Sequence, residues 1–193
     1  MANISPKIWG PSAWKLIHLT AAKTRTYADL AIMRSFVEGL EYLLPCTKCR
    51  ASFATHLSQL PFPSRPRDLP QWAYNMHNRV NLSSAGSAGS EPSAFSGPAP
   101  DPAEVFEAYR KMAKARQSNP FAAFLAALAD AHPGGRGRKA YVTALGALCA
   151  LLEHFYKVTP PTTPIRSPRA FRAWLGLEGA PRTPSKCKDT CVV

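Results

Sequence analysis

No apolar stretch in this chain approaches the roughly 20 residues that a membrane-crossing helix requires. The longest, Ala140 to Leu152, is closed off by Lys139 and Glu153. The opening segment, MANISPKIWGPSAWKLIHLTAA, has its apolar positions broken by Lys7, Pro11, Lys15 and His18, so it reads as folded structure and not as a secretory signal. Both absences predict a soluble protein. Acidic residues are scarce, 12 against 24 lysines and arginines, for a formal charge of +12. About half of that charge lies before residue 83 and half after, so no single basic tail or stripe accounts for it. No groove-reading motif accompanies it, and specific nucleic-acid recognition is not expected, although a basic surface attracts acidic partners in a salt-sensitive way. Cysteine is sparse as well: five residues, an odd number and too few for a disulfide scaffold. No alternating segment of useful strand length appears, which leaves an all-α reading.

What is present is helical periodicity. Apolar residues make up 46% of the 193 positions and aromatics 10%, which excludes wholesale disorder. Residues 6 to 82 read as four helices. The first is expected to open at Pro11 and Ser12, with Trp14, Ile17, His18 and Ala21 on one face. Asp29 is expected to cap the second, whose stripe Ile32, Phe36, Leu40 and Leu43 stops at Pro45. The third begins at Cys46 and buries Phe53 and Leu57; the fourth runs from about Pro70 to Asn81 and turns Trp72, Met76 or His77, and Val80 inward. Residues 83 to 100 are Ser-, Gly-, Ala- and Pro-rich and predict a flexible linker, so domains are expected at 1–82 and 101–178, with a tail at 179–193. In the second, Asp101 and Pro102 read as a helix start, followed by Val105, Phe106, Tyr109 and Met112. Helices are then expected at 120–131 and 138–157, the latter with a packing seam of Tyr141, Leu145, Leu148, Leu152 and Phe155. A last short one starts at Ser167 and Pro168, buries Phe171, Trp174 and Leu175, and ends at Gly176.

The cysteines fall into two close pairs, Cys46 with Cys49 and Cys187 with Cys191, plus Cys149. Such spacing is typical of redox dithiols or metal ligands. Behind Pro45, Cys46 and Cys49 occupy a helix's first turn, where free N–H groups and the dipole favour a thiolate, and one turn brings both sulfurs within disulfide reach. Two unrelated buried thiols would also satisfy the sequence. So would a zinc site, in which Cys46 and Cys49 are joined by two of Cys187, Cys191, His56 and His77 in a non-enzymatic helical adaptor. A second cluster, QWAYNMHNRVN, crowds His77, Asn78 and Asn81 beside Trp72, Met76 and Val80. Taken with Trp9, Trp14 and His18, these residues would line a pocket with flat aromatic walls and several hydrogen-bonding groups, suited to a planar, nitrogen-rich cofactor.

Three stretches in order, WGPSAWKLIH, LPCTKC followed by FATHL, and WAYNMHNRVN, closely resemble the Erv/ALR family of FAD-linked sulfhydryl oxidases over residues 7 to about 82. The resemblance implies a four-helix bundle with a short fifth helix, a homodimer, and FAD at the mouth of the bundle beside the CxxC disulfide. It implies that Trp9, Gly10, Trp14 and His18, and with them Trp72, His77, Asn78, Val80 and Asn81, bind the cofactor. Cys46 would exchange with thiols of substrate proteins, and Cys49 would face the flavin, with O2 as final acceptor and H2O2 as product. Three departures stand out. The family's Leu-Gly-Lys-Pro run after Asn81 is replaced by LSSAGSAGSEP, Leu44 stands where an aromatic is common, and no extra cysteine pair flanks the fourth helix. The pared-down core is similar to the branch from large cytoplasmic DNA viruses, which would place the protein in the host cytoplasm or the virion.

Cys187 and Cys191, on a tail rich in Pro, Lys and Thr, resemble the family's mobile shuttle dithiols. Cys149 reads as an inert core thiol. Residues 101 to 186 match no known pattern, GGRGRK lacks the phosphate-loop spacing, and His132 and His154 have no role that the sequence identifies.

Overall fold

The computed structural model describes residues 3–85, 99–115, 120–134, 139–179 and 181–183. Among them every regular element is helical: α1 Pro6–Lys23, α2 Tyr27–Leu43, α3 Thr47–Gln59, α4 Leu69–Ala85 after a 3-10 turn at Pro66–Asp68, α5 Pro102–Lys114, α6 Ala122–Asp130, α7 Lys139–Tyr156 and α8 Pro168–Trp174. None of these helices is long and apolar enough to cross a membrane.

Two helix starts differ from expectation, each for a local reason. α1 begins at Pro6, five residues before the expected opening at Pro11 and Ser12. Pro6 sits at the first helical position, where its missing N–H is no loss. The entry is pinned by tertiary bonds: the Trp9 indole N–H donates to the Ile4 carbonyl at 3.0 Å, and the Ile4 N–H donates to the Pro45 carbonyl at 2.8 Å. With Ile4 fully buried, this anchoring outweighs the one backbone bond that Pro11 forgoes inside the helix. α2 is capped by Thr26, not Asp29. The Thr26 hydroxyl accepts from the Asp29 N–H at 3.1 Å while the Asp29 carboxylate accepts from the Thr26 N–H at 2.9 Å, a reciprocal capping box. Burial alone would raise the Asp29 carboxyl, but N–H donors from Arg25 and Thr26, His154 and the Thr26 side chain bring it down to about 2.

α1 packs against α4, α5 and α6; α2 packs against α3 and α7; and α8 rests on α6. The α2–α7 crossing is close at Gly39, where a Cβ would lie 2.9 Å from the Ala144 Cβ and 3.2 Å from its Cα. On α7 the expected seam is buried at Tyr141, Leu145, Leu148 and Leu152, with Phe155 half-buried at its end. Asp101 caps α5 by accepting from the N–H groups of Ala103 and Glu104. α8 is fixed to α6 by a buried Arg172–Asp130 ion pair of 2.7 Å. It ends at Gly176, whose φ of +67° is the left-handed conformation glycine adopts at helix ends.

α4 continues to Ala85, into the expected linker, whose residues 86–98 lie outside the described ones. Buried side chains from both sides of it, Phe36 and Leu40 as well as Phe124 and Leu148, belong to one hydrophobic cluster. The expected boundary at 83–100 therefore separates segments of sequence and not separate cores.

Candidate functional site

Pro45 ends the run out of α2, and Cys46 then takes the N-cap of α3 in an extended conformation, with its sulfur accepting from the Cys49 N–H at 3.2 Å. A sulfur here stands where Ser or Asp caps a helix, facing the unpaired N–H groups of the first turn. Cys46 and Cys49 are joined in a disulfide with Cα atoms 5.2 Å apart, and they are 1% and 3% exposed. The disulfide ties up the thiolates a zinc ion would need. The loop is braced from outside: Arg50 donates to the Leu44 carbonyl at 2.8 Å and to the Thr47 hydroxyl at 3.1 Å. Asn3 accepts from the Thr47 N–H at 2.9 Å and from its hydroxyl at 3.1 Å. Together with the Ile4 bond to Pro45, residues 3 and 4 thus grip the backbone on both sides of Cys46.

Cys49, and not Cys46, lines a narrow cleft whose free cavity volume is about 50 Å3. Trp9, Gly10 and Trp14 of α1, Ser52 of α3 and Val80 of α4 form its walls, and Phe124 of α6 closes one side. Trp9 and Phe124 have ring centroids 5.9 Å apart. A Cβ at Gly10 would meet nothing within 4 Å, so the glycine leaves open space in the wall that a side chain would fill.

Beside the cleft stand two histidines. His18 Nε2 and His77 Nδ1 are 3.2 Å apart, Trp14 stacks on His77 at 4.2 Å and 12°, and Tyr109 stacks on His18 at 4.6 Å and 13°. Burial, with the His77 charge adding to it, lowers His18 to about 3, and burial lowers His77 to about 4. Both rings are therefore neutral near pH 7, and one donates to the other. Asn78 and Asn81 are half-buried on the same helix as His77.

Of the sequence candidates, the structure brings together Cys49, Trp9, Gly10, Trp14 and Val80 around the cleft, with His18 and His77 behind Trp14. Trp72 lies elsewhere: its indole N–H donates to the Leu60 carbonyl at 3.1 Å and its ring packs 5.0 Å from Phe62 in the core. Cys187 and Cys191 lie outside the described residues. His154 pairs with Asp29 at 2.7 Å, and His132 accepts from the Gly134 N–H. Burial pushes the Cys149 thiol up to about 11, fitting an inert thiol. Tyr109, Phe124 and Ser52 carry no site signal in the sequence beyond the apolar stripe containing Tyr109, which reads as packing, and His56 is recognisable there only as a possible zinc ligand.

A CxxC disulfide at a helix start, buried in a helical bundle and opening on an aromatic cleft, defines a helical dithiol module. Residues 11–94 match the model of the Erv1 / Alr family. The chain is 33% identical over 85 residues to a "Probable FAD-linked sulfhydryl oxidase" of Acanthamoeba polyphaga mimivirus, covering 40% of this chain and 59% of that one. It is 29% identical over 85 residues to a "Putative FAD-linked sulfhydryl oxidase" of Invertebrate iridescent virus 3, covering 41% and 57%. To the "FAD-linked sulfhydryl oxidase" of African swine fever virus it is 29% identical over 80 residues, covering 38% and 65%. The chain thus spans less than two thirds of each of these relatives, and α5 to α8 lie beyond the family match. No solved structure gives a significant match.

Proposed function

We propose that the protein is an FAD-dependent sulfhydryl oxidase that makes disulfide bonds in protein thiols through Cys46 and Cys49. The observation that carries this reading is the placement of the Cys46–Cys49 disulfide with Cys49 in the wall of the aromatic cleft. The chemistry of the lining suits the cofactor's flat ring: the cleft is apolar and walled by Trp9 and Trp14, Gly10 leaves open space in that wall, and the half-buried amides of Asn78 and Asn81 can donate and accept hydrogen bonds. Trp9, Gly10, Trp14, Val80, His18, His77, Asn78 and Asn81 would hold it.

The chain's own chemistry is thiol–disulfide exchange. A substrate thiolate attacks the Cys46 sulfur, forming one S–S bond and breaking the Cys46–Cys49 bond, so that Cys49 leaves as a thiolate. A second substrate thiolate attacks the substrate sulfur of that mixed disulfide and releases Cys46, leaving the substrate oxidised and the pair reduced. The helix start stabilises the thiolate form of Cys46 through the Cys49 N–H. When bound, FAD supplies a two-electron acceptor that passes electrons to O2, giving H2O2. The neutral His18–His77 pair places no positive charge beside Trp14.

The viral relatives support an origin in a large DNA virus; a second copy of the chain as partner, and Cys187 and Cys191 as a relay from substrate, belong to the proposal on the family resemblance alone. The experiment is the visible absorption of the purified protein followed by oxygen uptake with dithiothreitol. The expected result is a flavin spectrum and thiol-dependent uptake, with Cys49→Ser folded and yellow but without turnover. Colourless protein, or an active Cys49→Ser variant, overturns the proposal.

A further inference from the structure

Cys46 and Cys49 have unequal support. The Cys49 N–H serves the Cys46 sulfur, whereas Cys49 is the sulfur that the exchange releases as a thiolate. One turn further along α3, on the same face, Ser52 lines the same cleft. Its neighbours Thr55 and Ser58 donate their hydroxyl hydrogens to carbonyls of their own helix, at 3.1 and 2.8 Å, as small hydroxyl side chains commonly do. Ser52 instead meets, among the described residues, the ring nitrogen Nε2 of His56 at 3.2 Å.

His56 fixes which way that bond runs. Its Nε2 also meets the Ser83 hydroxyl at 3.1 Å, and Ser83 gives its single hydrogen to the Val80 carbonyl at 2.8 Å. Ser83 therefore accepts from His56, Nε2 carries the hydrogen, and the unpartnered, buried Nδ1 is a bare lone pair. An orphaned lone pair is the milder defect; the opposite tautomer would bury an N–H without an acceptor. Ser52 shares that single Nε2 hydrogen with Ser83 as a second acceptor of a three-centre bond, so its own hydrogen is not used by His56 and can turn to the cleft that Ser52 lines.

We propose that the Ser52 hydroxyl donates a hydrogen bond to the Cys49 thiolate when the disulfide opens, and that His56 is a positioning residue that turns the hydroxyl toward it. The assignment rests on the oxidase reading for its role in turnover, but not for its test. Charged or titratable groups in the same region are Lys48 and Arg50 on α3, His77 and Arg79 on α4, and Tyr141 on α7, whose phenol interacts with the Arg50 charge. The substitutions below leave all of them in place.

The test is the rate of iodoacetamide modification of each cysteine against pH in the full-length protein, reduced and kept anaerobic, and read residue by residue by mass spectrometry. A hydrogen bond to a charged group is worth about one pKa unit or somewhat more. Ser52→Ala therefore moves the Cys49 profile to higher pH and slows modification about tenfold on its rising limb, while the Cys46 profile stays in place. Ser52→Thr keeps the wild-type profile, and His56→Ala moves that of Cys49 in the same direction by less. An unmoved Cys49 profile in Ser52→Ala, equal shifts at both cysteines, or a Ser52→Thr variant that behaves like Ser52→Ala overturns the proposal. A wild-type protein without thiol-dependent oxygen uptake refutes the oxidase reading alone, since the thiol profiles are measured without turnover.

Discussion

Adding a single carbon at Gly39 tests whether α7, which lies outside the family match, is part of the same folded unit as the redox bundle. In a helix interior Ala is favoured over Gly by about 1 kcal/mol, so on propensity alone Gly39→Ala should stabilise. The new Cβ would stand 2.9 Å from the Ala144 Cβ and 3.2 Å from its Cα, well inside the 3.5 to 4.0 Å at which carbon pairs settle. Neither neighbour atom can rotate aside, because one is backbone and the other is fixed to it, so the helices must part. Overpacking of this kind costs about 1 to 3 kcal/mol, leaving a net loss of about 0 to 2 kcal/mol after the propensity gain. Gly146→Ala is the control: it lies on exposed α7 surface with nothing within 4 Å of its Cβ, and it should stabilise by about 1 kcal/mol. Equilibrium urea unfolding measures both, and Ala144→Gly made alone and with Gly39→Ala isolates the coupling between the two sites. If Gly39→Ala stabilises as much as Gly146→Ala, α2 and α7 do not meet as described and the single core is wrong.

Two further outcomes follow from the site. His18 and His77 titrate at about 3 and 4 in the fold against 6.5 for free histidine. Between those values the unfolded chain binds protons that the folded one refuses, so stability falls as pH drops from about 6.5 toward 4. Melting temperature against pH should show that slope, and His77→Gln should flatten it. Phe124 is fully buried and closes the cleft beside Trp9. Phe124→Ala should cost about 3 to 5 kcal/mol in urea unfolding and lower the flavin retained on purification; unchanged flavin content would show that α6 is no part of the binding wall.

The parts of the fold legible in the sequence were those fixed by periodicity and local chemistry. The α7 seam, the Asp101 cap and the α8 start at Ser167 depend on residues within a turn of one another. α1 was misplaced because its true start is set by Ile4 and Pro45, far apart in sequence. Asp29 and Thr26, three residues apart, are equally plausible caps until the chain shows which one is extended. Within the site, Cys49, Trp9, Gly10, Trp14, His18 and His77 were recognisable as a pattern, but Trp72 was not separable from them: an indole lines a cleft or fills a core according to where its N–H finds an acceptor, here Leu60. Tyr109 and Phe124 reach the site from helices beyond the family match, and the hydrogen of Ser52 is directed by Ser83 through His56, relations that only the assembled chain displays.

The grip of Asn3 and Ile4 on the backbone around Cys46 bears on how the protein is handled in the laboratory. Any affinity tag or fusion partner joined ahead of Asn3 begins beside the Cys46–Cys49 disulfide, so leftover residues after tag cleavage are an uncontrolled variable in every thiol-exchange rate measured on it. Placing the tag at the other end has its own drawback, since Cys187 and Cys191 lie there. The cleaner preparation carries a front tag whose leftover residues are removed, with small and protein thiols assayed side by side so that crowding at Cys46 shows as a difference between them.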